Sequence, residues 1–356
     1  MKKKWIVIAL LLGFAVIGAM IARPGLRHVF APEPEVVLDH EMRVEVIDTL
    51  VAKLNDLYVF PEKARKIEVV LHQRLQEGKY NGIRSGYRLA RQLTADLYGI
   101  AGDKHMKVRY HPKLALPDEA DAPAPTTRAE WEERHNFVMR LFIRNTTNRS
   151  VVFARLSPNI GYLKISSFPD AFLIAEKYAE AMEELAGTDG LIVDLRQNSG
   201  GDPQAVALLI SYFVDQRTRL NDLWDRETGS TIQYWTQDKL DGKRYGGKKP
   251  VLILAGPDTA SAGEDFAYTM QALRRATVVG ERTWGGAHPM ALYSMGEHFF
   301  AQIPSQRSIS PITGTNWEGV GVTPDIAATP ESALAVARNL MQRRLHGTAP
   351  LAAAKH

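Results

Sequence analysis

The feature of this chain that most constrains its fold is the alternation of apolar runs with amphipathic segments after Asn159. Strands alternating with helices form βαβ units, which place a parallel sheet under a layer of helices. The predicted strands lie near 160–165, 190–195, 251–255 and 277–280, and the predicted helices near 171–186, 203–214 and 261–273. The sequence therefore predicts an α/β core.

A helical segment precedes this core. Between residues 41 and 98 apolar residues recur at the three- and four-residue spacing of helices, with breaks at Phe60-Pro61 and at 78–82. We expect a three-helix bundle, followed by a short strand over 106–110. Within the later part, residues 217–248 interrupt the alternation and predict an antiparallel excursion beside a pocket.

These patterns divide the 356 residues into five segments. Residues 116–127 are rich in proline, alanine and acids, which is typical of an exposed linker. The predicted segments are a signal peptide or signal anchor at 1–27, a helical bundle at 36–112, a linker and connecting segment at 113–150, the α/β core at 151–346 and a disordered tail at 347–356.

The N-terminus has the order of a secretory leader. Three lysines precede an apolar run from Trp5 to Ala22, which predicts export to a periplasmic or extracellular location. The run is slightly short for a transmembrane helix, yet no clean cleavage site precedes Arg23, so a cleaved signal and a retained anchor both remain open. Membrane contact is expected only through this segment.

Charge and composition exclude several function classes. The basic residues of the leader account for the formal net charge of +4, so the rest offers no basic field, and nucleic acid is not an expected partner. The absence of cysteine excludes disulfides, thiolate metal sites and a cysteine nucleophile. His111, His288 and His298 lack metal-ligand spacing, so neither a metal nor another cofactor is expected.

Ser261 follows the apolar run 251–255 and precedes a predicted helix. A hydroxyl at a helix N-terminus lies beside unpaired N–H groups and the positive end of the dipole, which suits a nucleophile in acyl transfer. The same residues also fit a capping box between Ser261 and Glu264, in which the serine only completes the helix end.

A second loop, at 194–201, also joins an apolar strand to a helix and ends in Gly200 and Gly201. Without a Cβ, both glycines can adopt positive φ and point their N–H groups into a pocket, as an oxyanion hole requires. The alternative is an ordinary strand-to-helix turn with a flexible glycine pair.

Seven segments in order resemble the serine peptidase superfamily of the carboxyl-terminal processing proteases, the tricorn core protease and the interphotoreceptor retinoid-binding protein. They are LYVFPEKA at 57–64, GDKHMKVRY at 102–110, NIGYLKI at 159–165, GLIVDLRQNSGG at 190–201, TASAGEDFAY at 259–268, RATVVGERTWGGAH at 275–288 and PITGTNWEGVGVTPDI at 311–326. They are most similar to the retinoid-binding branch, which implies a helical N-terminal domain and a core related to the crotonase and Clp protease folds.

The resemblance implies Ser261 as nucleophile and His105 as general base. It implies an oxyanion hole from the N–H of Gly200 or Gly201 together with that of Ala262 or of the serine itself. The processing proteases activate the serine with a lysine in a Gly-Lys-Gly turn. Residues 283–287 read TWGGA here, so another group must accept the proton, and a histidine meets that need.

Glu318 matches the acidic member of the tricorn-like tetrad, although the intervening serine is absent. It is expected to contact His105 directly, to pair with Lys104 or to act structurally, and these three roles stay open. Asp103 is a rival group for orienting the histidine. His288 follows a double-glycine turn and is a further candidate for the pocket.

We therefore expect an exported serine hydrolase of the peptidase class, whose partner is a peptide or protein substrate. The alternative is a carrier without proteolytic activity that binds an apolar small molecule, as the retinoid-binding branch implies, because fold likeness alone does not choose between them. A third reading is a tethered scaffold with a dead site.

Overall fold

The computed structural model describes residues 35–112, 127–134 and 137–346. The predicted leader at 1–27, the predicted tail at 347–356 and nearly all of the linker at 116–127 lie outside the described residues. Within the described ranges, none of the helices combines the length and the apolar character needed to cross a membrane.

The N-terminal part is the predicted three-helix bundle. Its helices are α1 (His40–Leu57), α2 (Pro61–Gln76) and α3 (Gly86–Ala101). Local sequence sets their ends: the Asp39 side chain accepts the N–H of Met42 at the start of α1, and Gly102, with φ 71°, ends α3 in the left-handed conformation.

The bundle is joined to the C-terminal half through a sheet. Strand β1 (Lys107–Tyr110) pairs antiparallel with β10 (Phe299–Pro304), which pairs in turn with β9 (Met290–Ser294). Bundle residues such as Leu50 share one buried core with Phe299 and Ile303. The segments on the two sides of the predicted boundary at residue 112 therefore pack together. The division into domains at this residue stays a prediction.

The connecting segment contains two helices that were not predicted, α4 (Arg128–Arg134) and α5 (Phe137–Arg149). Trp131 of α4 is buried. After α5 the chain enters strand β2 (Val151–Leu156), which pairs antiparallel with the next strand.

The central sheet has six strands in the order β12-β8-β7-β4-β3-β2 and is parallel except at β2. Its other strands are β3 (Ile160–Ile165), β4 (Gly190–Asp194), β7 (Val251–Ala255), β8 (Thr277–Gly280) and β12 (Ile326–Ala327). Strands β4 and β7 are buried along their whole length, as expected of parallel strands covered on both faces.

Helices cover both faces of this sheet and confirm the predicted α/β core. Those on one face are α6 (Ala171–Leu185), α7 (Pro203–Ser211) and α8 (Ala262–Ala272), and α9 (Ala333–Leu345) lies on the other. The predicted antiparallel excursion is also present: β5 (Arg219–Asp225) lies between β6 (Thr231–Trp235) and β11 (Gln306–Ile309).

Strand register places the two predicted loops side by side. Asp194 at the end of β4 is opposite Leu254 near the end of β7. Because neighbouring parallel strands end at the same edge of a sheet, the loop carrying the glycine pair and the loop carrying Ser261 leave that edge together.

Candidate active site

Ser261 occupies the residue before α8 in an unusual backbone conformation, with φ 52° and ψ −118°. Positive φ in a residue with a Cβ costs on the order of 1–3 kcal/mol and persists only where the surroundings enforce it. Such residues cluster at functional sites. The sharp turn at Ser261 is therefore held in place by its neighbours.

Glu264 supplies much of that restraint. This buried carboxylate accepts the N–H groups of Ser261 and Gly286, each at 3.0 Å, through Oε2. Through Oε1 it accepts the hydroxyl of Thr283 at 2.5 Å and the N–H of Gly285 at 2.6 Å. Burial raises the pKa of Glu264, and these four donors oppose that shift.

The glutamate half of the predicted capping box is thus formed, and it extends across to the turn at 283–286. One consequence is that the backbone N–H of Ser261 is already donated and is not available to an oxyanion.

Asn198 organises the glycine loop. Its buried side chain donates to the carbonyl of Ile165 at 2.9 Å and accepts the N–H of Gly200 at 2.8 Å, and its backbone carbonyl accepts the N–H of Ala260 at 2.9 Å. The loop approaches the serine closely: a Cβ added to Gly200 would lie 2.7 Å from the Cβ of Ser261. Asn198 therefore ties the two loops together.

Of the four N–H groups predicted for the oxyanion hole, that of Ser261 is donated to Glu264 and that of Gly200 to Asn198. The N–H groups of Gly201 and Ala262 donate no hydrogen bond within the described part of the chain. Both residues line the same cavity as Ser261. Two amide hydrogens beside the hydroxyl are therefore free to bind an anionic oxygen.

That cavity has a volume of about 550 Å³ and is also lined by His105. Residues from the exit of the bundle and from the core, more than 150 positions apart in sequence, thus face one space. No hydrogen bond joins the imidazole to the hydroxyl of Ser261 among the described residues.

The imidazole of His105 is largely enclosed. Its Nδ1 is buried and has no hydrogen-bond partner among the residues that the structure describes, and the ring packs edge-on against Trp284 with centroids 4.9 Å apart. Burial lowers the pKa of His105 to about 4, against the opposing field of Asp103. At neutral pH the ring is therefore uncharged and able to accept a proton.

Behind His105 lies a buried group of two carboxylates and a histidine. Nδ1 of His288 is 3.4 Å from Oδ2 of Asp103 and 3.5 Å from Oε2 of Glu318. Tyr58 donates its hydroxyl to Asp103 at 3.3 Å, and Ala287 donates its N–H to Glu318 at 2.6 Å. Burial, followed by the nearby charge of Asp103, raises the pKa of Glu318.

The ligand atoms of Asp103, His288 and Glu318 lie within 4.8 Å of one another, so this cluster is where a metal ion could be held. The sequence did not indicate it, since the three residues are far apart in the chain. Tyr58 already donates to Asp103 and Ala287 to Glu318, so each acid has a hydrogen-bond donor of its own.

Of the two acids predicted to orient His105, only Asp103 forms a hydrogen bond with it among the described residues. Asp103 accepts the backbone N–H of His105 at 3.0 Å through Oδ1. Glu318 contacts His288 and makes no hydrogen bond or ion pair with His105 among the described residues. Lys104 donates to the carbonyl of Trp284 and lies 5.6 Å from the centre of its indole ring. The roles of Asp103 and Glu318 as groups that orient His105 therefore stay predictions.

Sequence reasoning missed the central positions of Glu264 and Asn198. A sequence signal existed for each: Glu264 stands at the third position of a capping box, and Asn198 precedes a glycine pair by two residues, where an Asx turn is common. Neither signal indicates that one side chain bridges two loops.

Comparison with known proteins identifies the family of this chain. Residues 159–328 match the model of peptidase family S41, and residues 34–145 match the N-terminal domain of S41 peptidases in eukaryotic IRBP. The chain belongs to peptidase family S41. The predicted resemblance is thereby confirmed, and the two S41 segments contain every residue of the site described above.

Curated relatives of this S41 chain are similar to about half of it. A carboxy-terminal-processing protease of Bartonella bacilliformis is 26% identical over 195 residues, which are 52% of this chain and 42% of the relative. The chloroplastic carboxyl-terminal-processing peptidase 2 of Arabidopsis thaliana is 29% identical over 180 residues, or 48% of this chain and 32% of the relative. The chain thus spans less than half the length of these relatives.

Solved structures share the fold of this S41 chain. A structure from Parabacteroides merdae superposes with a TM-score of 0.60 at 16% identity, covering 86% of this chain and 99% of that one. The tricorn protease superposes with a TM-score of 0.56 at 13% identity, covering 86% of this chain and 37% of that one. At these identities the superpositions confirm the fold class alone.

Proposed function

We propose that this S41 chain hydrolyses peptide bonds, with Ser261 as nucleophile and His105 as general base. The observation that carries the proposal is that the serine, the uncharged imidazole and the two free N–H groups of Gly201 and Ala262 open into one cavity. Nucleophile, base and oxyanion donors are the parts that acyl transfer requires.

In the proposed reaction the imidazole of His105 takes the hydroxyl proton while Oγ of Ser261 attacks the carbonyl carbon of the substrate. The oxyanion that forms is bound by the N–H groups of Gly201 and Ala262. His105 returns the proton to the leaving amine as the C–N bond breaks. Water then adds to the acyl-enzyme in the same way and releases the acid.

The surrounding residues serve as positioning groups in this proposal. Glu264 fixes the turn at Ser261, and Asp103 holds the backbone of His105. Behind the ring, His288 contacts both Asp103 and Glu318 and so helps to hold the two acids in place. Among the described residues no hydrogen bond reaches Nδ1 of His105, so the proposal assigns no acid to that atom.

A peptide or protein substrate is supported by the relatives, whose names describe processing of the carboxyl end of proteins. The rival role, carriage of an apolar ligand, would use the apolar part of the same cavity, including Leu223 and Trp317. Reactivity at Ser261 separates the two roles.

The test is labelling with a fluorophosphonate, combined with hydrolysis of a peptide library by wild type, Ser261→Ala and the matched variant Ser332→Ala at the distant start of α9. We expect wild type and Ser332→Ala to be labelled at Ser261 and to cleave the same peptides, and Ser261→Ala to do neither. Equal cleavage by Ser261→Ala would reject the proposal. An unlabelled protein that extracts a lipid would favour the carrier.

We also infer that the protein is exported, on the strength of the lysine triplet and apolar run of the leader. Expression of the full chain with its leader, fractionation, and mass measurement of the exported product test this inference. A product lacking the first residues indicates cleavage, a full-length product in the membrane fraction indicates an anchor, and a full-length cytosolic product contradicts export.

A further inference from the structure

Asp265 is a buried carboxylate in the wall of the proposed active-site cavity. It lies four residues after Ser261 on α8, and its N–H donates to the Ser261 carbonyl at 3.0 Å. Ser261 itself is not helical, but both residues line the same cavity. The carboxylate therefore shares that cavity with the nucleophile.

The hydrogen bonds of Asp265 come from neutral groups. Oδ1 accepts the Thr269 hydroxyl at 3.0 Å and the Asn221 side-chain amide at 3.2 Å. Within the described ranges no lysine or arginine forms an ion pair with Asp265. Burial raises the pKa of Asp265 to about 6, so the group is mostly ionised at pH 7.5. A buried anion without a cation is poorly compensated, and a cationic ligand would compensate it.

The other charged groups of the cavity do not fill this role. His105 is uncharged at neutral pH, and Asp258 is exposed. Lys107 forms no ion pair with Asp265 among the described residues, and its ammonium lies 5.8 Å from the centre of the Trp284 ring. Its pKa is lowered by burial and then by Arg109. The carboxylate of Asp265 is therefore available to bind a cationic group of a ligand in the cavity.

The walls around Asp265 suit a long side chain with a charged end. Leu223, Met290 and Trp317 line the same cavity and are largely apolar. Lysine and arginine pack their methylene stems against such surfaces while the charged group reaches a polar partner. A guanidinium can in addition stack on an indole ring.

We propose that Asp265 selects substrates with lysine or arginine at the residue whose carbonyl Ser261 attacks. This inference rests on the proposed peptidase function and names its substrate class. The side chain of that residue is the one nearest to the nucleophile, so it is the one placed to reach a carboxylate in the same cavity.

The first experiment compares four fluorogenic peptides that differ only in the residue before the scissile bond: lysine, arginine, leucine or glutamate. We expect wild type to have a kcat/KM at least about tenfold higher for the two basic peptides, since a charged hydrogen bond is worth roughly 10- to 100-fold. Asp265→Asn, which keeps the side-chain volume, should lose that preference and retain the leucine activity within about threefold.

Asp258→Asn is the matched variant, because it removes an exposed carboxylate from the rim of the same cavity. It should keep the preference for basic residues. A wild-type preference for leucine or glutamate, a preserved preference in Asp265→Asn, or an equal loss in Asp258→Asn would each overturn the inference.

Two measurements make the result independent of variant folding and of catalysis. In wild type, the ratio of lysine to leucine cleavage should fall as the pH drops through about 6, because Asp265 takes up a proton; a flat ratio contradicts the inference.

In Ser261→Ala, calorimetry should show the lysine peptide binding about tenfold tighter than the leucine peptide. If no peptide is cleaved but this difference is present, the peptidase proposal fails while the basic site stands.

Discussion

The carboxylate of Glu264 accepts the backbone N–H of Ser261 at 3.0 Å, and the same oxygen accepts the N–H of Gly286 at the same distance. One buried side chain thus joins the loop of the proposed nucleophile to the turn that packs against His105. A Cβ added to Gly286 would lie 2.7 Å from Cε1 of His105, which shows how close this turn is to the imidazole. The relative positions of serine and histidine depend on this carboxylate.

Glu264→Gln should destabilise the protein and reduce peptide hydrolysis together. The amide retains one acceptor oxygen and places N–H donors against the N–H groups that the carboxylate now binds. Loss of buried, charge-assisted hydrogen bonds predicts a fall in the free energy of unfolding of about 2–4 kcal/mol. Urea unfolding measures it, and kcat/KM should drop by at least about tenfold.

The matched variant is Glu297→Gln, whose side chain is 92% exposed. A change within about 0.5 kcal/mol is expected there. An equally small effect at Glu264 would mean that its four hydrogen bonds do not hold the site together.

Ser261→Gly should be more stable than Ser261→Ala, although both lack the hydroxyl. At φ 52° glycine relieves the backbone strain that alanine retains, which favours the glycine variant by about 1 kcal/mol. Thermal unfolding of the two variants provides the measurement. At Lys66, an exposed position inside α2, the substitutions to glycine and alanine should rank in the opposite order. Identical ranking at both positions would contradict strain at Ser261.

Gly201→Ala should prevent correct assembly of the proposed oxyanion loop. A Cβ at this position would lie 1.9 Å from the carbonyl oxygen of Phe168, and φ is 141°. We expect a large loss of stability, above about 3 kcal/mol, and no measurable hydrolysis.

Gly229→Ala provides the comparison, because its φ is also positive, at 65°, but its added Cβ meets nothing within 4 Å. It should lose only about 1 kcal/mol. Equal stability losses at both glycines would show that the contact with Phe168 is not decisive.

The acid limb of kcat/KM for a neutral peptide should lie near pH 4. A base must be unprotonated, and burial lowers the pKa of His105 to about 4, so activity should persist through pH 5 and fall below it. A pH profile on the leucine peptide measures this limb. A limb near 6.5 would indicate that the imidazole is solvated in the working enzyme or that another group is the base.

Asp265→Asn should stabilise the protein at neutral pH. A raised pKa means that the folded state holds its proton more tightly than the unfolded state, so stability is present below the ordinary value of 3.8 and is lost as the pH rises through about 6. The variant, which does not ionise, should gain about 1–3 kcal/mol at pH 7.5 and almost nothing at pH 4. Denaturant unfolding at the two pH values tests the difference, and equal gains would exclude ionisation as the cause.

Much of the fold could be read from local pattern. The fully apolar runs of β4 and β7, the cap at Asp39 and the helical spacing of the bundle each depend on neighbours in sequence. The two helices of the connecting segment were missed, since proline-rich and acidic residues before them favoured a linker interpretation. The pairing of β1 with β10 joins residues nearly 200 positions apart, which no local pattern reports.

By itself, the sequence determined the α/β alternation, the placement of Ser261 and of the glycine pair at strand-to-helix turns, and the family, because these follow from short-range spacing and ordered motifs. Only the tertiary structure decided which amide hydrogens remain free and that Glu318 contacts His288. It also decided that the neighbouring residues Glu264 and Asp265 bind different partners, Glu264 the turn at 283–286 and Asp265 the side chain of Thr269. The reason is physical: hydrogen bonding and burial depend on which distant segments share a cavity, and only the packed chain brings those segments within contact distance.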